Sequence, residues 1–173
     1  YGYSAVLQPD GKIVVAGYSS VNANEDFALA RYLPDGSLDA TFGNGGKVTT
    51  DFTLSEGFGR SVALQHDGKI LVAGDSPQHG SFKFALARYE PDGSLDNTFG
   101  SGGIMTNLVG NTSFGKTVMV QSDGRIVMAG EVNAGGIDFG AARWLADGSL
   151  DPTFGSGGVA TANLGASASF DYP

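Results

Sequence analysis

The residues best equipped for chemistry in this sequence come in threes. Arg31, Arg88 and Arg143 recur at one place in a repeating pattern, as do Asp10, Asp67 and Asp123, and the pairs Asp35 with Asp39, Asp92 with Asp96 and Asp147 with Asp151. A catalytic group is needed once per active site, whereas a structural group is needed once per unit. The planar guanidinium suits bidentate pairing, so the arginines read as ion-pair or carbonyl-binding struts. The aspartates read as turn residues. Calcium is the alternative for the segment Asp-Gly-Ser-Leu-Asp, whose carboxylates and turn carbonyls are hard oxygen donors. That segment lacks the alternating acidic positions and terminal Glu of an EF-hand loop.

The other candidates are isolated. His66 falls in a hairpin turn and His79 in a loop, and other units carry Pro9 and Ser122 at the first position, so both read as surface residues. With no cysteine and no Gly-x-Ser-x-Gly there is no activated nucleophile to name. Gly43-Asn44-Gly45-Gly46 lacks the lysine and following helix of a phosphate loop. Glu25, Glu56, Glu90 and Glu131, the carboxylates that the units do not share, show no pairing suited to glycoside chemistry. The sequence assigns no catalytic residue, no metal and no cofactor, and a non-enzyme is expected.

The elements that carry these residues repeat with the same spacing. Leu7-Gln8-Pro9-Asp10-Gly11-Lys12-Ile13-Val14-Val15-Ala16-Gly17 recurs from Leu64 and again from Val120, offsets of 57 and 56. Phe27-Ala28-Leu29-Ala30-Arg31-Tyr32 recurs at 84–89 and, as Phe139-Gly140-Ala141-Ala142-Arg143-Trp144, at 139–144. Asp-Gly-Ser-Leu-Asp and Thr-Phe-Gly-x-Gly-Gly follow each time. Asp-Gly between β-rich runs predicts a hairpin. The run after it is apolar on both alternating faces, which predicts a strand covered from both sides. In Phe84–Tyr89 one face carries Phe84, Leu86 and Arg88 and the other Ala85, Ala87 and Tyr89, so bulky and small faces of neighbouring sheets are expected to interdigitate. A short last strand follows the double glycine at 47–51, 104–107 and 159–163.

Four antiparallel strands per unit and a period near 56 predict an all-β, propeller-type fold of three blades, 1–57, 58–113 and 114–173, forming one domain. A β-solenoid is the alternative, but its strands pair between units. The quoted motifs resemble the delta-60 repeat, and the resemblance covers nearly the whole chain. It implies propeller blades in a bacterial, secreted or cell-surface setting, and it supplies no active-site residues.

Composition narrows the partners. Glycine supplies 28 of 173 residues, about 16% against the usual ~7%, as tight turns require. A net charge of −8 and a pI near 4.5, with scattered lysines and arginines, exclude a phosphate-backbone partner. No apolar run reaches the roughly 20 residues that span a bilayer. The start, Tyr1-Gly2-Tyr3-Ser4, shows neither an initiator Met nor a basic-then-apolar leader, so a processed product or a piece of something longer is expected.

Propellers close with about four to eight blades, and three leave two raw ends. Tyr1-Gly2 aligns with Phe58-Gly59 and Phe114-Gly115, and Phe170-Asp171 with the same pair. The expected partner is a homo-oligomer or additional repeats: a two-fold six-bladed ring, a longer repeat chain, or an open filament. Specific recognition belongs where the units differ, in loops 18–26, 75–83 and 131–138 and connections 51–60 and 107–116. Tyr18, Asn22, Asn24, His79, Phe82 and Asn133 are the possible ligand contacts there, to a glycan or surface protein, although solvated loops are the plainer reading. Asn111-Thr112-Ser113 is a possible glycosylation sequon. A structural assembly module therefore leads, a recognition module follows, and a propeller glycosidase or lyase comes last.

Overall fold

Each Asp-Gly pair folds as its residue types require. Gly11, Gly68 and Gly124 take φ between +83° and +85°, and the aspartate before each accepts the backbone N–H two residues on. Antiparallel strands run away from these turns. The computed structural model describes residues 1–21, 24–52, 56–107, 109–133 and 136–163, so Asn22 and the pair Phe170-Asp171 lie outside the described residues.

Three four-stranded antiparallel meanders result. The first blade is β1 (Gly2–Leu7), β2 (Ile13–Val21), β3 (Asn24–Tyr32) and β4 (Lys47–Thr50). The second is β5 (Phe58–Leu64), β6 (Ile70–Gln78), β7 (Ser81–Tyr89) and β8 (Ile104–Asn107). The third is β9 (Thr112–Val120), β10 (Ile126–Asn133), β11 (Ile137–Trp144) and β12 (Val159–Ala162). Among the described residues strands pair within a blade and not between blades, as a propeller requires and a solenoid does not.

In their described residues the expected loops 18–26, 75–83 and 131–138 are instead the far arms of long hairpins. Asp75 pairs with Phe84, Ser76 with Lys83, Pro77 with Phe82 and Gln78 with Ser81. His79, at φ +52°, and Gly80 make the turn. Polar composition misleads here because Asp75 and Ser76 are fully buried: Asp75 pairs with Arg60, and the Ser76 hydroxyl donates to the Glu56 carbonyl. Parts of the connections 51–60 and 107–116 are likewise strand, the beginnings of β5 and β9.

Bulky faces meet small faces. Phe27 and Leu29 of the first blade pack in one cluster with Ala85, Ala87 and Tyr89 of the second. Phe84 and Leu86 of the second pack with Ala142 and Trp144 of the third. Two-sided burial is complete only in the middle blade, where the first seven residues of β6 and the last six of β7 are all buried. The flanking strands β3 and β11 alternate, because each has a neighbour on one side only.

The first strand of each later blade lies against the first two strands of the blade before it, β5 against β1 and β2, and β9 against β5 and β6. Glycine permits that approach: a Cβ on Gly59 would sit 2.4 Å from the Gly17 carbonyl oxygen, and one on Gly115 2.2 Å from that of Gly74. Gly59→Ala should therefore cost about 3 kcal/mol in a urea titration, since backbone must yield to backbone. Gly80→Ala, in open space at positive φ, should cost only about 1 kcal/mol. Equal small costs at both positions would contradict this packing.

Candidate functional site

The shared charged residues build one clamp per blade. Arg31 is the penultimate residue of β3, and the turn after it brings Asp39 back so that Arg31 Nε lies 2.9 Å from Asp39 Oδ2. Arg88 and Asp96 repeat this at 2.7 Å, and Arg143 and Asp151 at 2.9 Å. Each aspartate also accepts the backbone N–H and hydroxyl of the threonine two residues on, Thr41, Thr98 or Thr153. Lys12, Lys69 and Arg125 add a second cation at 3.1, 3.2 and 2.9 Å. Each guanidinium covers an aromatic ring, that of Phe42, Phe99 or Phe154, at 4.3 to 4.8 Å.

These donors set the carboxylate acidity. Hydrogen bonds from Thr41 hold Asp39 well below the usual range, and those from Thr153 lower Asp151 to about 2. At Asp96 burial pushes upward but is outweighed by Thr98, Lys69 and Arg88. Asp35, Asp92 and Asp147 likewise accept from Ser37, Ser94 and Ser149. Both oxygens of each clamp aspartate and one of each turn aspartate thus accept from the protein's own donors, and among the described residues no group of three or more metal-ligating side chains converges.

The clamps also reach across blades. Arg31 Nη1 donates to the Pro91 carbonyl of the second blade, and Arg88 Nη1 to the Ala146 carbonyl of the third. The Gly43 N–H donates to the Asp92 carbonyl at 2.8 Å and the Gly100 N–H to that of Asp147 at 3.3 Å. On the first strands, Ser4 Oγ accepts from Val62 N–H at 3.3 Å and Ser61 Oγ from Val118 N–H at 3.2 Å.

Residues that differ between blades gather at the opposite ends of the first strands. A register shift in β1, β5 and β9 leaves Tyr3, Arg60 and Lys116 as the extra residue of a bulge, re-aiming each side chain. Tyr3 stacks on Tyr18, Arg60 pairs with Asp75 at 2.6 Å, and Lys116 pairs with Glu131 at 3.2 Å. Burial holds the pKa of Asp75 above the usual carboxylate value, against the opposing pull of Arg60. Aromatic rings form a row across all three blades, from Tyr3 through Tyr18, Phe58 and Phe82 to Phe114, with centroids 4.8 to 6.4 Å apart.

Tyr18 and Phe82, named from sequence as possible contacts, thus share one row. Asn24 opens β3 opposite Val21, His79 is exposed at the next hairpin tip, and Asn133 ends β10 with its carbonyl accepting from the Asn111 N–H. Asn111 is exposed just before β9. Among the unshared glutamates, Glu131 pairs with Lys116 and Glu90 with Lys69, and Glu25 accepts from Ser20. Sequence reading missed Tyr3, Phe58, Arg60, Phe114 and Lys116. The available signal was the unlike residues Tyr, Arg and Lys at one repeat position.

Arg88→Ala should cost about 2–3 kcal/mol, measured by denaturant unfolding, because it removes a charged hydrogen-bond partner of the nearly inaccessible Asp96 carboxylate, which keeps Lys69 and Thr98. Acid should also weaken the fold. Asp39, Asp96 and Asp151 titrate below the ordinary value near 4, so their stabilisation is complete above about pH 4 and is lost as pH falls toward about 2. Asp75, raised by burial, adds stability as pH falls toward about 4 and contributes no further change below it. Circular dichroism melts should show the midpoint falling through this window, and a flat profile from pH 5 to 2 would contradict the clamp.

A solved fucose lectin from Kordia zhangzhouensis, bound to methyl-fucoside, is similar over 82% of this chain and 90% of its own, at 10% identity and a TM-score of 0.46. At that level the likeness transfers neither site nor ligand. No curated protein matches the chain. The family described as a domain of unknown function (DUF5122) beta-propeller matches residues 8–42, 65–99 and 121–154, well over half of the sequence and three times in register with the blades. The chain belongs to the DUF5122 beta-propeller family.

Proposed function

We propose that this chain is a non-catalytic assembly module which binds further blades of its own kind at two open sheet faces, in the bacterial cell-surface setting that the delta-60 resemblance implies. One observation carries the reading. The middle blade is buried on both sides, while the first blade leaves its small face open and the third its bulky face. On the small face Leu7 is 68% exposed, although its counterpart Leu64 packs against the core. On the bulky face Phe139 is 64% and Met119 53% exposed, whereas Phe27 and Phe84, the counterparts of Phe139, are buried. Leu7, Met119 and Phe139, exposed on the two faces that a neighbouring blade would cover, mark an interaction surface.

The aromatic row favours a second reading, recognition of a carbohydrate or protein. Tyr3 is half exposed, and the row lies where the blades differ. A glycan array tests it: binding abolished by Tyr3→Ala supports that role, and no signal opposes it.

Assembly makes a sharper prediction. Phe139→Asp should leave the unfolding midpoint of the chain nearly unchanged, because the ring is exposed there. It should weaken self-association about 30-fold, since burying a phenylalanine stabilises by about 2 kcal/mol. Sedimentation velocity across a concentration series reads both chains, and a wild-type monomer at every concentration would contradict the proposal.

A further inference from the structure

We infer that Tyr3 and Tyr18 form an oxidative cross-linking site, at which hydrogen peroxide and a haem peroxidase join the two rings into dityrosine and lock β1 to β2.

The site stands where the backbone ladder is weakest. A register shift leaves Tyr3, Arg60 and Lys116 outside the pairing of β1, β5 and β9 with the strand that follows each, and a bulged residue makes no regular ladder bond. In the second and third blades an ion pair bridges the two strands at this point, from Arg60 to Asp75 and from Lys116 to Glu131. The first blade carries tyrosine at both positions. Tyr3 stands where the cation is elsewhere and Tyr18 where the carboxylate is, and their rings stack at 5.7 Å between centroids, 20° from parallel. All three blades thus tie the bulge to the second strand through side chains, and here the tie consists of two oxidisable phenols. The sequence has no cysteine, so no disulfide joins these strands.

Coupling requires rings already in contact, held still and open to an oxidant. Nearly parallel planes bring the carbons beside the two hydroxyls together, and the neighbouring Tyr3 hydroxyl holds the Tyr18 phenol above its ordinary ionisation range. The ring of Phe58 meets Tyr18 edge-on at 5.1 Å, and the Arg60 guanidinium lies 6.0 Å from the centre of the Tyr3 ring, so the second blade braces the pair. Tyr3 is half exposed, whereas Tyr89 is fully buried and donates its hydroxyl to Thr50.

The reaction is a two-electron oxidation of the pair. Peroxide takes one electron and one proton from each phenol, its O–O bond breaks, and two molecules of water leave. The two phenoxyl radicals join through the ring carbons beside their oxygens, forming one C–C bond. The hydrogen on each joined carbon then moves to the neighbouring oxygen, and both rings are aromatic again. The chain loses two hydrogen atoms and gains no group. Both rings belong to one blade, so the bond forms whatever the open sheet faces meet. The loop that it closes, roughly 15 residues long, is one whose cross-linking restricts the unfolded chain as a disulfide does.

The whole chain, treated with dilute hydrogen peroxide and a haem peroxidase, then unfolded and digested with trypsin, tests the site. Cleavage after Lys12 and Arg31 places Tyr3 in peptide 1–12 and Tyr18 in peptide 13–31. The two should be recovered as one fluorescent species at their summed mass less two hydrogens, in a yield that does not change when the protein is diluted. Tyr1 also stacks on Tyr18, at 4.9 Å, and shares a peptide with Tyr3, so variants separate the partners. Tyr3→Phe keeps a ring in place without a phenol and should lower the yield about tenfold or more, since coupling depends on preformed contact. Tyr1→Phe should leave the yield unchanged. The coupled wild-type chain should unfold at a higher urea concentration than the untreated chain, and Tyr3→Phe treated in the same way should not. A link that survives Tyr3→Phe and vanishes in Tyr1→Phe would overturn the assignment to Tyr3. Links formed only between copies, lost on dilution, or no coupled peptide at all, would overturn the site itself. An unchanged urea midpoint after coupling would overturn the strand lock.

Discussion

A sheet that is apolar on both sides has to be covered on both sides, and the rest of this structure depends on that constraint. In the middle blade the requirement is met: Ile70 and Val72 point into one cluster, while Leu71 and Ala73, on alternate positions of the same strand, point into the other. The two clusters are therefore joined through a single sheet, and the layers cannot be separated without exposing both. Size matching follows from the same constraint. Ala85 and Ala87 leave the space that Phe27 and Leu29 fill, and Ala142 leaves that filled by Phe84 and Leu86.

Charge is subordinate to this packing. A buried ion pair contributes little net stability unless its remaining hydrogen bonds are satisfied, and here each clamp aspartate is served by a threonine and two cations. In the first two blades the arginine also donates from Nη1 to a carbonyl of the next blade, which fixes the distance and rotation between sheets that apolar contact alone would leave adjustable. Repetition is the reason that these charges are structural in form. What differs between blades lies at the bulges, where tyrosine, arginine and lysine occupy one position and face tyrosine, aspartate and glutamate.

Much of this was legible before any coordinates. Asp-Gly marked each hairpin because few other pairs take those dihedral angles readily, and the two-residue period in Phe84–Tyr89 told which face was bulky. The last strand of each blade was visible from the double glycine before it. The hairpin arms were not, because Asp75 and Ser76 look like loop residues until Arg60 and the Glu56 carbonyl, 15 and 20 residues away, are seen to satisfy them. Nor were Tyr3, Arg60 and Lys116, since a bulge breaks the alternation by which a strand's faces are read.

The central claim, that every apolar sheet face finds a cover, is most directly tested at Met119. It lies on the open bulky face at 53% exposure, whereas Met128 is fully buried within the same blade. Dilute peroxide followed by peptide mass spectrometry measures how fast each sulfur is oxidised in the native protein. If the face is covered in solution, Met119 reacts nearly as slowly as Met128 and speeds up on dilution. Oxidation of Met119 at the rate of a free methionine, in folded protein and at every concentration, would contradict the account.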